Sequence, residues 1–292
     1  MSLRHFLSNP WIRLLRPVQW SKNSVVYAAM VFGHQSTFAD LINATVAFIA
    51  FCALSSATYI FNDWSDIERD RHHPVKRFRP LAAGEICPRR AAVVGVALLA
   101  AAFAISLPVS PWLTLVLLGY AALMAAYTHW LKRVMILDVF VIAAGFLLRA
   151  IAGGVAVNVP ISSWLMLCTM LLALFLGFCK RRNELTTLDK DAALHRTSLR
   201  GYTTEVLDQF ILITAASSVM AYAMYTFSAE TVPESGVMMV TVPIVIFALF
   251  RYLHLVYAQR LGGAPEVLLF RDRPLLGSII VWALTVLLIV WT

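Results

Sequence analysis

The sequence predicts an all-α, polytopic membrane bundle of about nine transmembrane helices, and three observations carry that reading. Of its 292 residues, 60% are hydrophobic and only 14% are charged, with mean hydropathy +0.75, far from the balance of a soluble domain. The apolar residues fall in uninterrupted runs near the roughly 20 residues a helix needs to cross about 30 Å of hydrocarbon. Those runs lack the period-two alternation of a membrane barrel, and only a helix closes its backbone hydrogen bonds within one such segment. No low-complexity linker interrupts the chain, so residues 1–292 read as a single integral-membrane domain.

In order, the expected crossings cover about 24–38, 41–62, 89–108, 111–131, 135–156, 161–179, 205–228, 236–258 and 274–291. Ahead of the first, Pro10, Pro17 and three arginines argue against a cleavable signal. An interfacial segment with Phe6, Leu7, Trp11, Leu14 and Leu15 toward lipid is expected instead. Lys and Arg gather before the first crossing, in loops 63–90, 180–204 and 259–273, and at Lys132–Arg133, whereas turns 35–40, 108–111, 157–160 and 229–235 hold none. The positive-inside rule then puts the N-terminus and the charged loops in the cytoplasm and the C-terminus outside, in a cell inner (plasma) membrane. This banding accounts for the formal net charge of +8 without a nucleic-acid partner. The four cysteines show no metal-binding spacing and read as thiols in or near helices. The two larger polar loops follow the second and sixth runs, which suggests a four-helix repeat.

Chemistry concentrates where the second run ends. Asn62, Asp63, Asp66 and Asp70 leave an apolar segment, and on a continuing helix the three aspartates share one face at i, i+3 and i+7. Like charges at that spacing repel, and a hard divalent cation such as Mg²⁺ relieves the repulsion, typically with one or two carboxylates plus substrate phosphates. The alternative is a solvated helix end whose acids pair with neighbouring arginines. Lys76, Arg77 and Arg79 follow, between Pro74 and Pro80, which stop helix continuation and let the cations turn back toward a phosphate. His72 and His73 read as surface histidines. Arg149 and Asp138 lie within the fifth run, where charge is costly. Arg149 either pairs with a buried polar group, the preferred reading, or meets a lipid phosphate, and Asp138 is a candidate base.

The pattern Asn62-Asp63-x-x-Asp66-x-x-x-Asp70, followed by Arg79-Pro80-Leu-Ala-Ala-Gly84, resembles the first aspartate-rich motif of the UbiA superfamily of intramembrane prenyltransferases. Tyr127-x-x-x-Leu131-Lys132-Arg133 is also similar to that family. The resemblance implies nine spans and a cytoplasmic Mg²⁺-diphosphate site with Asp63, Asp66 and Asp70 as metal ligands and catalytic carboxylates. Typical members carry a second aspartate-rich motif after the sixth span, where this chain reads Gly177-Phe-Cys-Lys180-Arg181-Arg182-Asn183-Glu184. That substitution is similar to the decaprenyl-phosphate phosphoribosyltransferase subgroup, as are Arg16-Pro17-x-Gln19-Trp20-x-Lys22-Asn23 and Leu148-Arg149-Ala-Ile-Ala-Gly153-Gly154. The subgroup implies phosphoribosyl diphosphate as donor and a polyprenyl phosphate as acceptor. One carboxylate cluster beside many cations suits one metal-diphosphate and two further phosphates. Lys22, Asn62, Lys76, Arg77, Arg79, Tyr127, Lys132, Lys180, Arg181, Arg182 and Glu184 are the expected substrate-binding residues, Glu184 and Asp189 aligning a lysine or a ribose hydroxyl. The rival is transfer from a prenyl diphosphate to an aromatic acceptor. A transporter or lipid-binding protein would explain the spans but not the aspartate spacing.

Overall fold

The computed structural model describes residues 9–32, 37–188, 197–228, 236–259 and 261–291; Phe6, Leu7 and Asp189 lie outside them. Among the described residues there is no strand. Eight helices among the described residues are long and apolar enough to cross a membrane, which makes this a multi-pass membrane protein. The elements are α1 (Pro10–Leu15), a 3₁₀-helix (Pro17–Tyr27), α2 (Ala28–Phe32), α3 (Phe38–Ser65), α4 (Ile67–Arg71), α5 (Pro88–Ser106) and α6 (Pro111–His129). After them come α7 (Leu137–Val157), α8 (Ser163–Leu188), α9 (Thr204–Ser228), α10 (Val242–Tyr257), α11 (Pro265–Arg271) and α12 (Arg273–Trp291).

The first expected crossing differs from the rest. In place of a membrane-length α-helix, it holds an 11-residue 3₁₀-helix that runs into the five residues of α2. At roughly 2.0 Å per 3₁₀ residue and 1.5 Å per α residue, the two reach about 30 Å with fewer residues than an α-helix would need. The 3₁₀ winding has three residues per turn, so side chains three apart lie directly in line. Gln19 and Lys22 therefore lie in one row, and Arg16, the left-handed residue (φ 55°) just before the helix, lines the same cavity. Trp20, Asn23 and Val26 form another, which faces the core: Trp20 donates to Ser56 Oγ at 3.0 Å, and Asn23 and Val26 are fully buried.

Two consecutive groups of helices pack around this segment. α3, α5, α6 and α7 enclose a core of Phe51, Leu54, Leu113, Leu117 and Tyr120. α8, α9, α10 and α12 enclose a second core of Phe175, Phe178, Leu207, Ile211 and Tyr252, and α7 packs on α8 to join the groups. Small residues allow the close approaches that membrane helices use in place of hydrophobic drive: Ala44, Ala47, Ala50 and Ala57 are buried on α3. Gly153 is the tightest case, because a Cβ there would stand 2.0 Å from the Val26 carbonyl oxygen.

Candidate functional site

A cavity of about 520 Å³ lies between the 3₁₀-helix and helices α3, α6, α7 and α8. Its lining holds ten basic side chains and two carboxylates, Asp66 and Glu266. Tyr120, Met124, Ile142 and Phe146 give it an apolar wall. Among the expected site residues, Lys22, Asn62, Asp66, Lys76, Arg79, Tyr127, Lys132, Lys180 and Arg181 all line it.

The aspartates do not share one face. α3 ends at Ser65, and Asp66 (φ −101°, ψ 8°) breaks the helix before α4 begins. The break sets Asp66 apart from Asp63 and Asp70, which meet at Arg79. Asp63 is 2% exposed and takes both oxygens to Arg16 Nη2 at 2.7 Å, with Arg79 Nη1 at 2.9 Å. Asp70 accepts from the same Arg79 nitrogen at 2.7 Å; burial raises its carboxyl above the ordinary aspartate value, and the Arg79 charge pulls against that. Asp66 faces the cavity and accepts from Lys132 Nζ at 3.0 Å. Among the described residues no three His, Cys, Asp or Glu side chains converge as a ready-made metal cluster. The donor set still fits Mg²⁺, because Asp66 and Asn62 present hard oxygens to the cavity and phosphate oxygens supply much of that ion's shell. Asp63 and Asp70 become ligands only by exchanging their guanidinium partners.

On the opposite wall, α8 delivers Lys180 and Arg181 to the cavity. Arg181 is 1% exposed and Asp138 fully buried. Arg181 Nε lies 3.3 Å from Asp138 Oδ2, and Nη1 meets Glu184. Asp138 also accepts from Ser198 Oγ at 3.1 Å and Tyr202 Oη at 3.2 Å. Tyr202 Oη in turn accepts the Ile136 N–H at 2.7 Å, where Ile136 holds φ 67°, a strained value for a β-branched residue. Asp138 is thus buried in a cluster with Arg181, Ser198 and Tyr202 and does not line the cavity. Glu184 does not line it either, but contacts Arg181, which does.

Two expected residues face elsewhere. Arg182 lies one position along α8 on another face, with Asp208 at 2.5 Å and the Tyr257 ring at 4.2 Å. Arg77 rests on the Phe78 ring at 4.8 Å and does not line the cavity. Arg149 is held structurally: it donates to Asn23 Oδ1, the Gly145 carbonyl and Tyr120 Oη at 2.8, 2.8 and 2.9 Å. The rings of Tyr120, Phe146 and Phe51 surround it at 4.8, 5.3 and 5.7 Å.

Sequence reasoning missed Gln19 and Glu266 as cavity residues. Lys22 Nζ donates to Gln19 Oε1 at 2.5 Å, and Gln19 Nε2 donates to Glu266 Oε1 at 2.7 Å. Burial alone would raise the Glu266 carboxyl, but Lys22, Gln19 and Lys180 outweigh it and hold it below the ordinary glutamate value. The usable signal for Gln19 was its spacing of three from Lys22, which puts the two directly in line on a 3₁₀-helix. Glu266 gave no signal beyond being a lone acid at a short helix start.

Comparison with known proteins agrees with the geometry. A decaprenyl-phosphate phosphoribosyltransferase of Mycolicibacterium smegmatis is 36% identical over 293 residues, covering 94% of this chain and 90% of the relative. Its namesake in Mycobacterium tuberculosis is 34% identical over 280 residues, covering 94% and 92%. A solved UbiA homolog from Archaeoglobus fulgidus, bound to GPP and Mg²⁺, shares the fold with a TM-score of 0.75 at 22% identity, covering 97% of this chain and 100% of that one. The model of the UbiA prenyltransferase family matches residues 24–272, and with the bundle, the interrupted aspartate motif and these long alignments, the chain belongs to that family.

Proposed function

We propose that residues 1–292 form one integral-membrane transferase that moves the 5-phosphoribosyl group from phosphoribosyl diphosphate to a polyprenyl phosphate of the decaprenyl type, releasing diphosphate. One observation carries this reading: the wall that would hold a second set of acids presents Lys180 and Arg181 to the cavity. Ten cations against two carboxylates suit a ligand set rich in phosphate. The two relatives at 34–36% identity bear the corresponding name.

In this reading Asn62 and Asp66 hold Mg²⁺ on the donor's diphosphate, joined by Asp63 and Asp70 as Arg16 and Arg79 turn to phosphate. When bound, the ion neutralises charge on the departing diphosphate. Lys132, Lys76 and Arg79 complete that side. Lys22, Lys180 and Arg181 take the other phosphates, and Tyr127 adds a hydroxyl. The apolar wall of Tyr120, Met124, Ile142 and Phe146 accepts the first lipid units. A polyprenyl phosphate oxygen, already ionised, attacks C1 of the ribose as the C1–diphosphate bond breaks, with inversion at C1. No base is required, and positioning with electrostatic stabilisation supplies most of the acceleration. The charged end of the bundle and the N-terminus face the cytoplasm, and the C-terminus lies outside the plasma membrane.

The test supplies purified protein with phosphoribosyl diphosphate, Mg²⁺ and polyprenyl phosphate, and follows lipid-linked ribose phosphate and released diphosphate. Formation of both is expected, and at a fixed, limiting Mg²⁺ concentration it is expected to fall in Asp66→Asn. No product there, together with transfer from a prenyl diphosphate to an aromatic acid, overturns the proposal.

A further inference from the structure

Glu266 is out of place in a cavity built for anions. It is 7% exposed and reaches the cavity from α11, at the second position of a seven-residue helix. A carboxylate here repels every phosphate that the ten cations attract, so its presence points to a ligand group that donates hydrogen bonds. One of its oxygens is committed, since Oε1 accepts from Gln19 Nε2 at 2.7 Å. The other is not. Oε2 stands 3.4 Å from Lys22 Nζ and, among the described residues, has no hydrogen-bond partner although it is shut off from bulk solvent. Lys22 thus holds Oε2 by charge alone, and a buried acceptor without a hydrogen bond is expensive unless a ligand supplies one. The cavity's second carboxylate, Asp66, is already engaged by Lys132 at 3.0 Å and Arg69 at 3.5 Å.

Resting on the phosphoribosyl reading above, we propose that Glu266 is a specificity-determining residue that accepts a hydrogen bond from a ribose hydroxyl of the donor through Oε2. A pentose with free C2 and C3 hydroxyls is the component of the reaction that brings donors rather than acceptors. The Lys22–Gln19–Glu266 relay fixes the carboxylate in place from the 3₁₀-helix. The same relay sets Lys22 beside it for a neighbouring phosphate. This moves the hydroxyl contact from Glu184, which is engaged by Arg181, to Glu266.

The experiment compares kcat/KM for phosphoribosyl diphosphate with its 2-deoxy and 3-deoxy analogues, all with Mg²⁺ and polyprenyl phosphate. The wild-type chain is expected to prefer the parent donor over at least one analogue by about 10- to 100-fold, as a lost hydrogen bond to a charged partner predicts. Glu266→Ala, or Glu266→Gln if the alanine variant does not fold, is expected to shrink that preference to within about threefold. A purely structural role would lower all donors together and leave their ratio unchanged. Equal use of all three donors by the wild type, or an undiminished preference in the Glu266 variants, overturns the assignment. Absence of transfer from every donor in the wild type instead removes the phosphoribosyl reading itself.

Discussion

Asp138→Asn separates a positioning role from a catalytic one. The substitution keeps the side chain's size but removes the charge 3.3 Å from Arg181 Nε. At an effective dielectric near 20, that interaction has a gross magnitude of about 5 kcal/mol. Glu184 remains on Arg181, and the cost of burying the Asp138 charge disappears with that charge, so the net loss is smaller. An amide also offers one acceptor where Ser198, Tyr202 and Arg181 now meet two oxygens. Breaking a buried pair by removing one partner typically costs about 3–5 kcal/mol, and about 3 kcal/mol is expected here. For a chain of this size that lowers the melting temperature in detergent by about 6 °C. Because Arg181 lines the cavity, KM for the phosphorylated donor should rise while the pH dependence of kcat keeps its shape. The reasoning is refuted if the variant melts like the wild type. It is equally refuted if kcat loses an acid limb at unchanged KM, the signature of a base.

Further outcomes follow from the same geometry. Gly153→Ala places a Cβ 2.0 Å from the Val26 carbonyl oxygen and should destabilise by about 1–3 kcal/mol, whereas Gly119→Ala, with nothing within 4 Å, should be neutral or slightly stabilising in the same thermal melt. Chelation with EDTA should abolish transfer and added Mg²⁺ restore it, and Asp66→Asn should raise the Mg²⁺ needed for half-maximal rate by roughly tenfold or more; an unchanged requirement would remove Asp66 from the metal site. Asp272 accepts from Arg251 Nη2 at 2.8 Å, and that bond holds its carboxyl below the ordinary aspartate value. A depressed folded-state pKa contributes stability that is full above the unfolded value near about 4 and is lost as pH falls through the folded one. Arg251→Gln should therefore flatten the acid side of the melting profile, and identical profiles would show the pair to be inert.

The membrane bundle was legible because each crossing must be an apolar run, so the second to ninth expected spans coincide with helices. The first was misjudged in its winding, since hydropathy carries no information on whether a segment turns in threes or in 3.6 residues. Asp63, Asp66 and Asp70 were found as a group, but the single-face expectation assumed a helix that Asp66 itself ends. Arg182 reads in sequence like its neighbours Lys180 and Arg181, and only the rotation of α8 sends it toward Asp208 and Tyr257. Asp138 and Glu266 act through contacts 43 and 247 residues away in sequence, and a single sequence does not encode such pairings locally.

The 3₁₀ segment behaves as a shaft with two rigidly geared rows. Val26 seated against Gly153 sets its rotation, and that same rotation aims Gln19 and Lys22 into the cavity. A one-residue insertion between Val26 and Lys22 would turn one row against the other by about 120°. The length of this segment is thus under as strict a constraint as the identity of its charges. Substrate affinity here depends on a helix–helix contact that touches no substrate.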